Sequence, residues 1–300
     1  MLATGGFEWN PDLVRAFLRG PMTTPVSVPT NEGDGLKMSM RIGAALGNMR
    51  EAWWMPAVEI PGDRGDGRAD QHLFAAERAR PRSIMVNRAG QRFTNEAANY
   101  NAFGAAFHEQ DVARFEYSNL PCWFIFDQTH LDTYGFIGTL PGSPAANWVT
   151  SSATLTELAM ELGIDPDGLT ATVDRWNTQV AIGTDPDFHR GESAHDTWWG
   201  DPWLKGTPAA CLGPLDTGPF YAVEVRSGTL GTKGGPKTDA LGRVQNVDGA
   251  TIPGLYAAGN VMACVFGMTY GGAGGTLAPA MVFGFLGGRD AAQRAASKTS

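Results

Sequence analysis

The sequence lacks the features that mark disulfide-rich, zinc-binding and membrane-spanning proteins. Its only cysteines are Cys122, Cys211 and Cys264, and no two of them form a C-x-x-C pair, so neither a disulfide framework nor a zinc site is predicted. No apolar run approaches the roughly 18 residues that a membrane span requires. The N-terminus also shows no basic segment followed by an apolar signal core. We therefore predict a cytoplasmic protein with no integral membrane segment.

Positive charge is scarce as well. The chain has 23 Lys and Arg against 31 Asp and Glu, which gives a net charge of −8. A protein of this charge is not expected to have nucleic acid or an anionic membrane surface as its main partner. Of the 300 residues, 43% are hydrophobic, which is enough for one large domain or two ordinary ones.

Two short patterns resemble a metal site and an adhesion motif, but the sequence around each of them argues against that function. His189, Glu192 and His195 carry potential metal-binding groups, but residues spaced in this way drift around a helix, and the flanking sequence is typical of a loop. No metal site is therefore predicted. The Arg-Gly-Asp tripeptide at 64–66 is interpreted as a chance occurrence in an acidic chain.

The chain is organised around a glycine-rich stretch at 254–288. Its pattern predicts a strand at 255–258, a turn at Gly259 and Asn260, and a helix that begins near Thr276. One face of this helix carries the apolar residues Leu277, Met281 and Phe285. The predicted unit is a strand, a loop and a helix.

The loop of this unit can bind a flat group that carries negative charge. Glycines at 271, 272, 274 and 275 leave backbone N–H groups uncovered, and the positive end of the helix dipole faces the same loop. Tyr270 can donate a hydrogen bond beside those N–H groups. The alternative is a glycine-rich turn that only packs a helix closely on a sheet.

Several segments, in this order and spacing, resemble the FAD-dependent 3-ketosteroid dehydrogenases, which belong to the fumarate reductase and succinate dehydrogenase flavoprotein superfamily. The resemblance covers nearly the whole chain. The segments are LATGGFEWN (2–10), SIMVNRAGQRFTNEAANYN (83–101), FHRGES (188–193), SGTLGTKGG (227–235), TDALGRV (238–244), GLYAAGN (254–260) and TYGGAGGT (269–276).

The resemblance implies an α/β fold in which a partial Rossmann-like FAD-binding domain contains an inserted α+β capping domain. Residues 1–93 would be the later part of the first FAD-binding segment, 94–228 the catalytic or capping domain, and 229–300 the return segment. No G-x-G-x-x-G turn follows a strand anywhere in the chain. The resemblance therefore implies the C-terminal portion of a longer enzyme, without the half that holds the FAD pyrophosphate.

The resemblance also implies residue roles. The Tyr270 hydroxyl and the Gly274 N–H would polarise the substrate ketone. Tyr134, which follows a strand at 122–128, would accept the α-proton; an ordinary half-buried tyrosine is an equal alternative. Lys233 could add positive charge, although a surface lysine is an equal alternative. The residues expected at FAD are Ala3, Thr4, Gly5, Gly6, Gly259, Asn260, Gly275, Thr276 and Leu277.

These roles imply desaturation of a 3-ketosteroid, or of another cyclic ketone, by proton loss at the α-carbon and hydride transfer to flavin N5. An external electron acceptor and the absent N-terminal half would be partners. One alternative is a fumarate reductase-like flavoprotein that reduces an enoate, which is disfavoured because neither GTKGG nor TYGGAGG contains the expected histidine. The other alternative is a non-catalytic truncated remnant that binds a hydrophobic ligand or a partner.

The remaining patterns predict the scaffold. Helices are expected at 11–18 and 36–46, and a strand at 83–87. Thr154 and Glu157 form a capping box before a helix that ends at Gly163, and a further helix begins at Pro166 with Leu169, Val173, Trp176 and Val180 on one face. Arg92 is expected to pair with Glu96. Trp198, Trp199 and Trp203 are expected in a loop. They could form aromatic walls for a large planar apolar substrate, but we interpret them as core residues.

Overall fold

The computed structural model describes residues 1–62 and 69–297, so the tripeptide at 64–66 lies outside the described residues. The chain divides into two compact units. Unit one consists of Met1–Trp54 and Gly228–Ser300, and unit two consists of Met55–Ser227. Helices and strands are mixed in both units, which confirms the α/β class at this coarse level. The functional ranges 1–93, 94–228 and 229–300 stay a prediction.

The helices and strands of the described residues have the following bounds. The helices are α1 (Pro11–Phe17), α2 (Asp34–Arg41), α3 (Phe103–Phe107), α4 (Gln128–Tyr134), α5 (Leu155–Leu162), α6 (Pro166–Ala181), α7 (Ala194–Trp199) and α8 (Leu277–Ala296). The strands are β1 (Thr24–Pro25), β2 (Leu46–Gly47), β3 (Ala52–Ile60), β4 (Asp70–Leu73), β5 (Ser83–Asn87), β6 (Gln110–Asp111), β7 (Glu116–Tyr117), β8 (Cys122–Asp127), β9 (Thr150–Ser152), β10 (Phe220–Thr232), β11 (Gly235–Pro236), β12 (Arg243–Gln245) and β13 (Thr251–Tyr256).

The described residues of unit one form short strand pairs and the helices α1, α2 and α8. Strand β1 pairs in parallel with Gly228 and Thr229 of β10, β11 pairs with β2, and β12 pairs with β13. A small apolar core fills this unit beside β12 and β13. Its buried members are Ala44, Val244, Ala257, Val261 and Met262.

Unit two is organised around a sheet with the strand order β4-β3-β10-β8-β5. Strand β8 is buried along its whole length, and its side chains alternate between two cores, as the two-residue period of a strand requires. Phe124 and Phe126 enter one core, whereas Trp123 and Ile125 enter the other. Helices α5 and α6 supply the second core, so both faces of β8 are covered.

Most of the predicted scaffold is confirmed. Strand β5 has the predicted bounds, and α1 ends one residue before the predicted limit. Both hydrogen bonds of the capping box join Thr154 and Glu157, and Gly163 ends α5 with a φ of 69°. Leu169, Val173 and Trp176 of α6 are buried, which confirms the predicted apolar face.

The predicted helix over 36–46 is wrong in its second half. Helix α2 ends at Arg41, and Leu46 belongs to β2. Gly43 adopts a φ of 75°, a left-handed conformation that stops the helix. The apolar spacing continues past this glycine, but the backbone does not follow it.

The interpretation of the tryptophan-rich loop is also wrong. Ser193 caps a short helix, α7, that includes Trp198 and Trp199. Trp198 is 63% exposed and Trp203 is 92% exposed, so these side chains do not belong to a core. Among the described residues, the buried tryptophans are Trp53, Trp54, Trp123 and Trp176.

Candidate active site

The two predicted cofactor segments of unit one lie side by side. Leu2 forms a parallel bridge with Ala257, in which the Leu2 N–H donates to Tyr256 O at 2.7 Å and the Ala258 N–H donates to Leu2 O at 3.0 Å. Because both segments run in the same direction, the residues that follow them leave at the same edge. Ala3 to Gly6 and Gly259 to Asn260 are therefore brought together, although β13 itself ends at Tyr256.

The start of α2 holds the first of these segments in place. The Thr4 hydroxyl accepts the Gly35 N–H at 3.1 Å, and the Gly33 N–H donates to Gly6 O at 3.1 Å. Gly5 has a φ of 76°, which favours glycine at this position. Ala3 and Thr4 remain exposed, so the segment offers its outer side to a ligand.

A buried carboxylate that the sequence reasoning missed stabilises the same region. Glu8 is 2% exposed and accepts hydrogen bonds from the Ser27 hydroxyl at 2.6 Å and the Asn31 amide at 2.7 Å. Its other oxygen accepts the Thr232 N–H at 3.2 Å. Because each carboxylate oxygen has a donor, Glu8 ties three distant parts of the chain together at little desolvation cost.

The glycine-rich loop and α8 form the third part of the site. The Ala278 N–H donates to Gly274 O at 2.8 Å, and Thr276 provides no side-chain cap to the helix. A Cβ added at Gly271, Gly272 or Gly274 would meet no atom of the described residues within 4 Å. The N-terminal N–H groups of α8 and the open side of the loop therefore suit a planar, electron-rich group.

Tyr270 lies against this loop. Its ring packs edge-on against Trp53, with 5.3 Å between ring centroids. A Cβ added at Gly275 would lie 2.9 Å from Tyr270 Cε2, so the loop curls back over the tyrosine ring. The structure thus brings Tyr270 together with Gly275, next to Gly274.

Lys233 is buried, and the surface-lysine alternative is therefore wrong. Its Nζ donates to Thr269 O at 2.8 Å and lies 4.3 Å from the centroid of the Trp53 ring. Burial lowers the pKa of this ammonium group. Lys233 and Trp53 together hold the loop at the residue before Tyr270.

Tyr134 belongs to unit two and is the last residue of α4. Asp127 caps this helix by accepting the His130 N–H at 2.9 Å. The Tyr134 hydroxyl donates to Asp201 Oδ2 at 2.7 Å. Burial, together with this hydrogen bond, raises the pKa of Tyr134, so the phenol is protonated at neutral pH. Sequence reasoning missed Asp201, because 67 positions separate the two residues and no local pattern links them.

Comparison with known proteins decides the family. The profile of the FAD binding domain family matches residues 1–277. The chain belongs to the FAD binding domain family. This membership confirms FAD as the cofactor predicted from the sequence, and the donor-rich, open loop at the start of α8 fits it.

The relatives of this FAD binding domain include ketone dehydrogenases. It is 46% identical over 299 residues to 4-oxocyclohexanecarboxylate 2-dehydrogenase of Sinomonas cyclohexanicum, covering 99% of this chain and 51% of the relative. It is 42% identical over 311 residues to 3-oxosteroid 1-dehydrogenase of Mycolicibacterium smegmatis, covering 99% of this chain and 52% of the relative. The chain therefore spans about half the length of these relatives.

A solved structure supports the same relationship. The 3-ketosteroid delta1-dehydrogenase from Sterolibacterium denitrificans, in complex with 1,4-androstadiene-3,17-dione, matches with a TM-score of 0.89 and 38% identity. The match covers 97% of this FAD binding domain chain and 52% of that structure. The resemblance to 3-ketosteroid dehydrogenases that the motifs predicted is thus confirmed.

The described part of this FAD binding domain has neither a metal-binding cluster nor a membrane-spanning helix. Residues 1–62 and 69–297 contain no group of three or more His, Cys, Asp or Glu side chains arranged to hold a metal ion. His189 instead pairs with Glu192 at 3.0 Å. Within the same ranges, no helix combines the length and apolar character needed to span a bilayer.

Proposed function

We propose that this chain carries the catalytic portion of an FAD-dependent dehydrogenase that desaturates a 3-ketosteroid next to its ketone. The observation that carries this proposal is the similarity to a 3-oxosteroid 1-dehydrogenase over 99% of the chain. The open glycine loop beside Tyr270 supports it. The reaction removes a proton from the α-carbon and a hydride from the neighbouring β-carbon.

The cofactor would be held by residues of unit one. The proposed contacts come from the bridged segments and the start of α8, and they are Ala3, Thr4, Gly5, Gly6, Gly259, Asn260, Gly275, Thr276 and Leu277. When bound, FAD supplies the acceptor for the β-hydride. The N-terminal N–H groups of α8 would stabilise negative charge on the bound group through the helix dipole.

The catalytic roles follow from the chemistry of a ketone. The Tyr270 hydroxyl and the Gly274 N–H would donate hydrogen bonds to the carbonyl oxygen, because negative charge develops there when the α-proton leaves. Tyr134 would accept that proton. Lys233 would support the first pair indirectly, since it holds the Thr269 carbonyl.

The proposed dehydrogenase also requires an N-terminal segment that completes the FAD-binding domain. We infer that unit one is part of a Rossmann-like domain whose pyrophosphate-binding half lies in a separate N-terminal segment, as the half-length match to relatives suggests. We also propose that the protein is cytoplasmic and that an external electron acceptor reoxidises its flavin. FAD affinity of the chain alone would then be low.

A second candidate substrate is a monocyclic ketone that carries a carboxylate. The 46% identity to a 4-oxocyclohexanecarboxylate 2-dehydrogenase favours it. The desaturation chemistry would be the same, but the pocket would have to accept a charge. An enoate reductase is less well supported, because the segments 227–235 and 269–276 contain neither histidine nor arginine.

The test is the visible absorption spectrum of the purified chain, incubated with FAD alone and with FAD plus the N-terminal half of a relative. Bound flavin that bleaches anaerobically with progesterone, a 3-ketosteroid, would support the steroid proposal. Bleaching only with 4-oxocyclohexanecarboxylate would select the monocyclic substrate. Ketone binding without any bound flavin, under both conditions, would contradict both proposals and favour a non-catalytic remnant. Tyr270→Phe is the matched variant, since it should bind flavin and bleach more slowly.

A further inference from the structure

The indole ring of Trp53 contacts both the turn at Gly259 and Asn260 and the glycine-rich loop. Trp53 belongs to β3 and is 2% exposed. Its Nε1–H donates to Asn260 Oδ1 at 3.2 Å, and its ring packs edge-on against Tyr270 with 5.3 Å between ring centroids. All of these residues belong to unit one. One side chain therefore touches a residue proposed to hold FAD and a residue proposed to polarise the ketone.

The contact with Trp53 determines how the Asn260 amide is oriented. An indole Nε1–H can only donate a hydrogen bond, so it must face the amide oxygen, and the Nδ2 group points away from the ring. Gly231 lies beside Nδ2, because a Cβ added there would be 2.5 Å from that atom. Asn260 is partly exposed, and within the described part of the chain its Nδ2 donates to no acceptor. Asn260 thus offers one amide donor group, in a fixed orientation, to a bound molecule.

Lys233 fixes both the indole ring and the loop that carries Tyr270. Its Nζ lies 4.3 Å from the centroid of the Trp53 ring, where a cation is attracted by the aromatic face. The same Nζ donates to Thr269 O at 2.8 Å. The Lys233 N–H donates to Glu51 O at 2.9 Å, which ties the lysine backbone to the residue two positions before Trp53. The indole, the lysine and the start of the glycine-rich loop are therefore held as one group.

The neighbouring tryptophan shows what a purely structural indole does in this part of the chain. Trp54 is the next residue of β3, so its side chain points to the opposite face of the strand. It packs in a core with Met22 and Ala52, and its Nε1–H donates to Glu51 Oε2 at 3.3 Å. None of these residues is proposed to hold FAD or the ketone. Trp54 is therefore the matched control for Trp53.

We propose that Trp53 is a positioning residue that sets the Asn260 amide for the cofactor and the Tyr270 hydroxyl for the ketone. This inference rests on the proposed function. Asn260 Nδ2 would donate a hydrogen bond to an acceptor atom of FAD, and Tyr270 would donate one to the ketone oxygen. Because the same indole holds both donors, cofactor and ketone are bound in one register, which hydride transfer requires. Trp53 acts only through Asn260 and Tyr270.

The first test needs no cofactor and no turnover. In the chain labelled with ¹⁵N-tryptophan, the indole N–H resonance of Trp53 is assigned with Trp53→Phe. Asn260→Leu removes the acceptor and should move this resonance upfield, whereas Asn260→Asp keeps an acceptor oxygen and should leave it downfield. The indole of Trp176, which donates to Gly213 O at 2.9 Å, is the internal control. An unchanged Trp53 resonance in Asn260→Leu would overturn the proposal.

The second test measures the dissociation constant of FAD by fluorescence titration, with the N-terminal half of a relative present. Trp53→Phe keeps an aromatic ring but removes the N–H that orients Asn260, so it should weaken FAD binding by about tenfold, the effect of one hydrogen bond. Asn260→Asp cannot donate and should weaken binding at least as much. The double variant should lose little beyond Asn260→Asp, because Trp53 acts through Asn260. Trp54→Phe should bind FAD like the wild type.

The third test measures kcat/KM for progesterone at saturating FAD. Trp53→Leu removes the ring that packs against Tyr270, so its kcat/KM should be about tenfold lower than that of Trp53→Phe, which keeps a ring there. Lys233→Met reaches the same loop without changing the indole, because it removes only the ammonium group that holds Thr269. It should lower kcat/KM by about tenfold and leave the FAD affinity unchanged.

The outcomes separate this inference from the proposed function. In a wild type that binds FAD and desaturates a ketone, unchanged FAD affinity of Trp53→Phe and Asn260→Asp would overturn the inference alone. An equal loss of affinity in Trp54→Phe would do the same, because it would show a packing effect, and so would equal kcat/KM values for Trp53→Phe and Trp53→Leu. A wild type that binds no FAD, or that desaturates neither progesterone nor 4-oxocyclohexanecarboxylate, would overturn the proposed function and the inference with it.

Discussion

At the scale of single residues, unit two is stabilised by a buried cluster of charges. Arg92 Nη2 lies 2.7 Å from Glu96 Oε2 and 2.8 Å from Asp185 Oδ2, and Arg190 approaches Glu96 at 3.2 Å. The Arg92–Glu96 pair was predicted because Glu96 is a carboxylate close to Arg92 in the chain. Asp185 and Arg190 were not, because they lie about 90 positions away and no local pattern encodes such contacts.

Glu96 should make the free energy of unfolding decrease at low pH. Burial opposes its ionisation, but the charges of Arg92 and Arg190 outweigh burial and lower its pKa to about 2, from 4.5 in an unfolded chain. A carboxylate with a lowered pKa stabilises the fold above its unfolded pKa and loses this effect as pH falls through the folded value. We therefore expect the free energy of unfolding to decline from about pH 5 to about pH 2.

The contribution is measured by urea denaturation of Glu96→Gln across that range. At neutral pH the variant should lose about 3 kcal/mol, because Arg92 and Arg190 keep buried charges without their partner. The difference from the wild type should shrink towards pH 2. Glu116→Gln, an exposed carboxylate, is the control, and an equal loss at every pH would contradict the assignment.

At the scale of elements, the capping box of α5 was predictable because all of its contacts are local. The Glu157 N–H donates to the Thr154 hydroxyl at 3.2 Å, and the Thr154 N–H donates to Glu157 Oε2 at 3.1 Å. Helix α7 carries a similar local signal in Ser193 and Asp196, which sequence reasoning overlooked. The end of α2 was missed because apolar spacing was followed past Gly43.

Thr154→Ala should destabilise the protein by about 1 kcal/mol, since the N-terminal N–H of Glu157 loses its acceptor. Thr156→Ala removes the same atoms from an exposed position inside the helix and should have a smaller effect or a slightly stabilising one. Thermal unfolding of both variants measures the difference. Equal effects would show that the cap contributes nothing.

The glycine loop before α8 allows a sharper comparison. Gly275→Ala places a Cβ 2.9 Å from Tyr270 Cε2, whereas Gly271→Ala places one in open space. The first variant should displace the Tyr270 ring and, through the ketone-polarising role proposed for Tyr270, lower kcat/KM by about 10²-fold. The second should behave like the wild type. Near-ultraviolet circular dichroism of the Tyr270–Trp53 pair reports the displacement independently of turnover, and two unchanged spectra would refute the argument.

At the scale of the whole molecule, the apolar side chains of α8 are left in solvent. Leu277, Met281 and Phe285 are 69%, 73% and 66% exposed. Their spacing predicted that these side chains share one face of the helix, but spacing alone does not predict what covers that face.

The fold of each unit could be predicted in outline from its strands, helix caps and glycine turns. Long-range contacts, such as the hydrogen bond of Tyr134 with Asp201, could not, because no local pattern encodes them.

An exposed apolar face of this kind should cause concentration-dependent association. Met281→Gln combined with Phe285→Gln should reduce it, as measured by light scattering over a range of protein concentrations. Met160→Gln is the control, because Met160 is 62% exposed on α5 and lies outside this face. Association that is unchanged in the double variant would mean that another surface is responsible.

The two-segment composition of unit one has a consequence for synthesis on the ribosome. Unit two is a continuous stretch, Met55–Ser227, whereas unit one needs residues from both sides of it. The bridge of Leu2 cannot form until Tyr256 and Ala258 have left the ribosome, because Leu2 forms its hydrogen bonds with them. Because domains fold as units while the chain is translated, the second unit can mature first. The first part of unit one is therefore made before unit two but finds its partners only after unit two has been made.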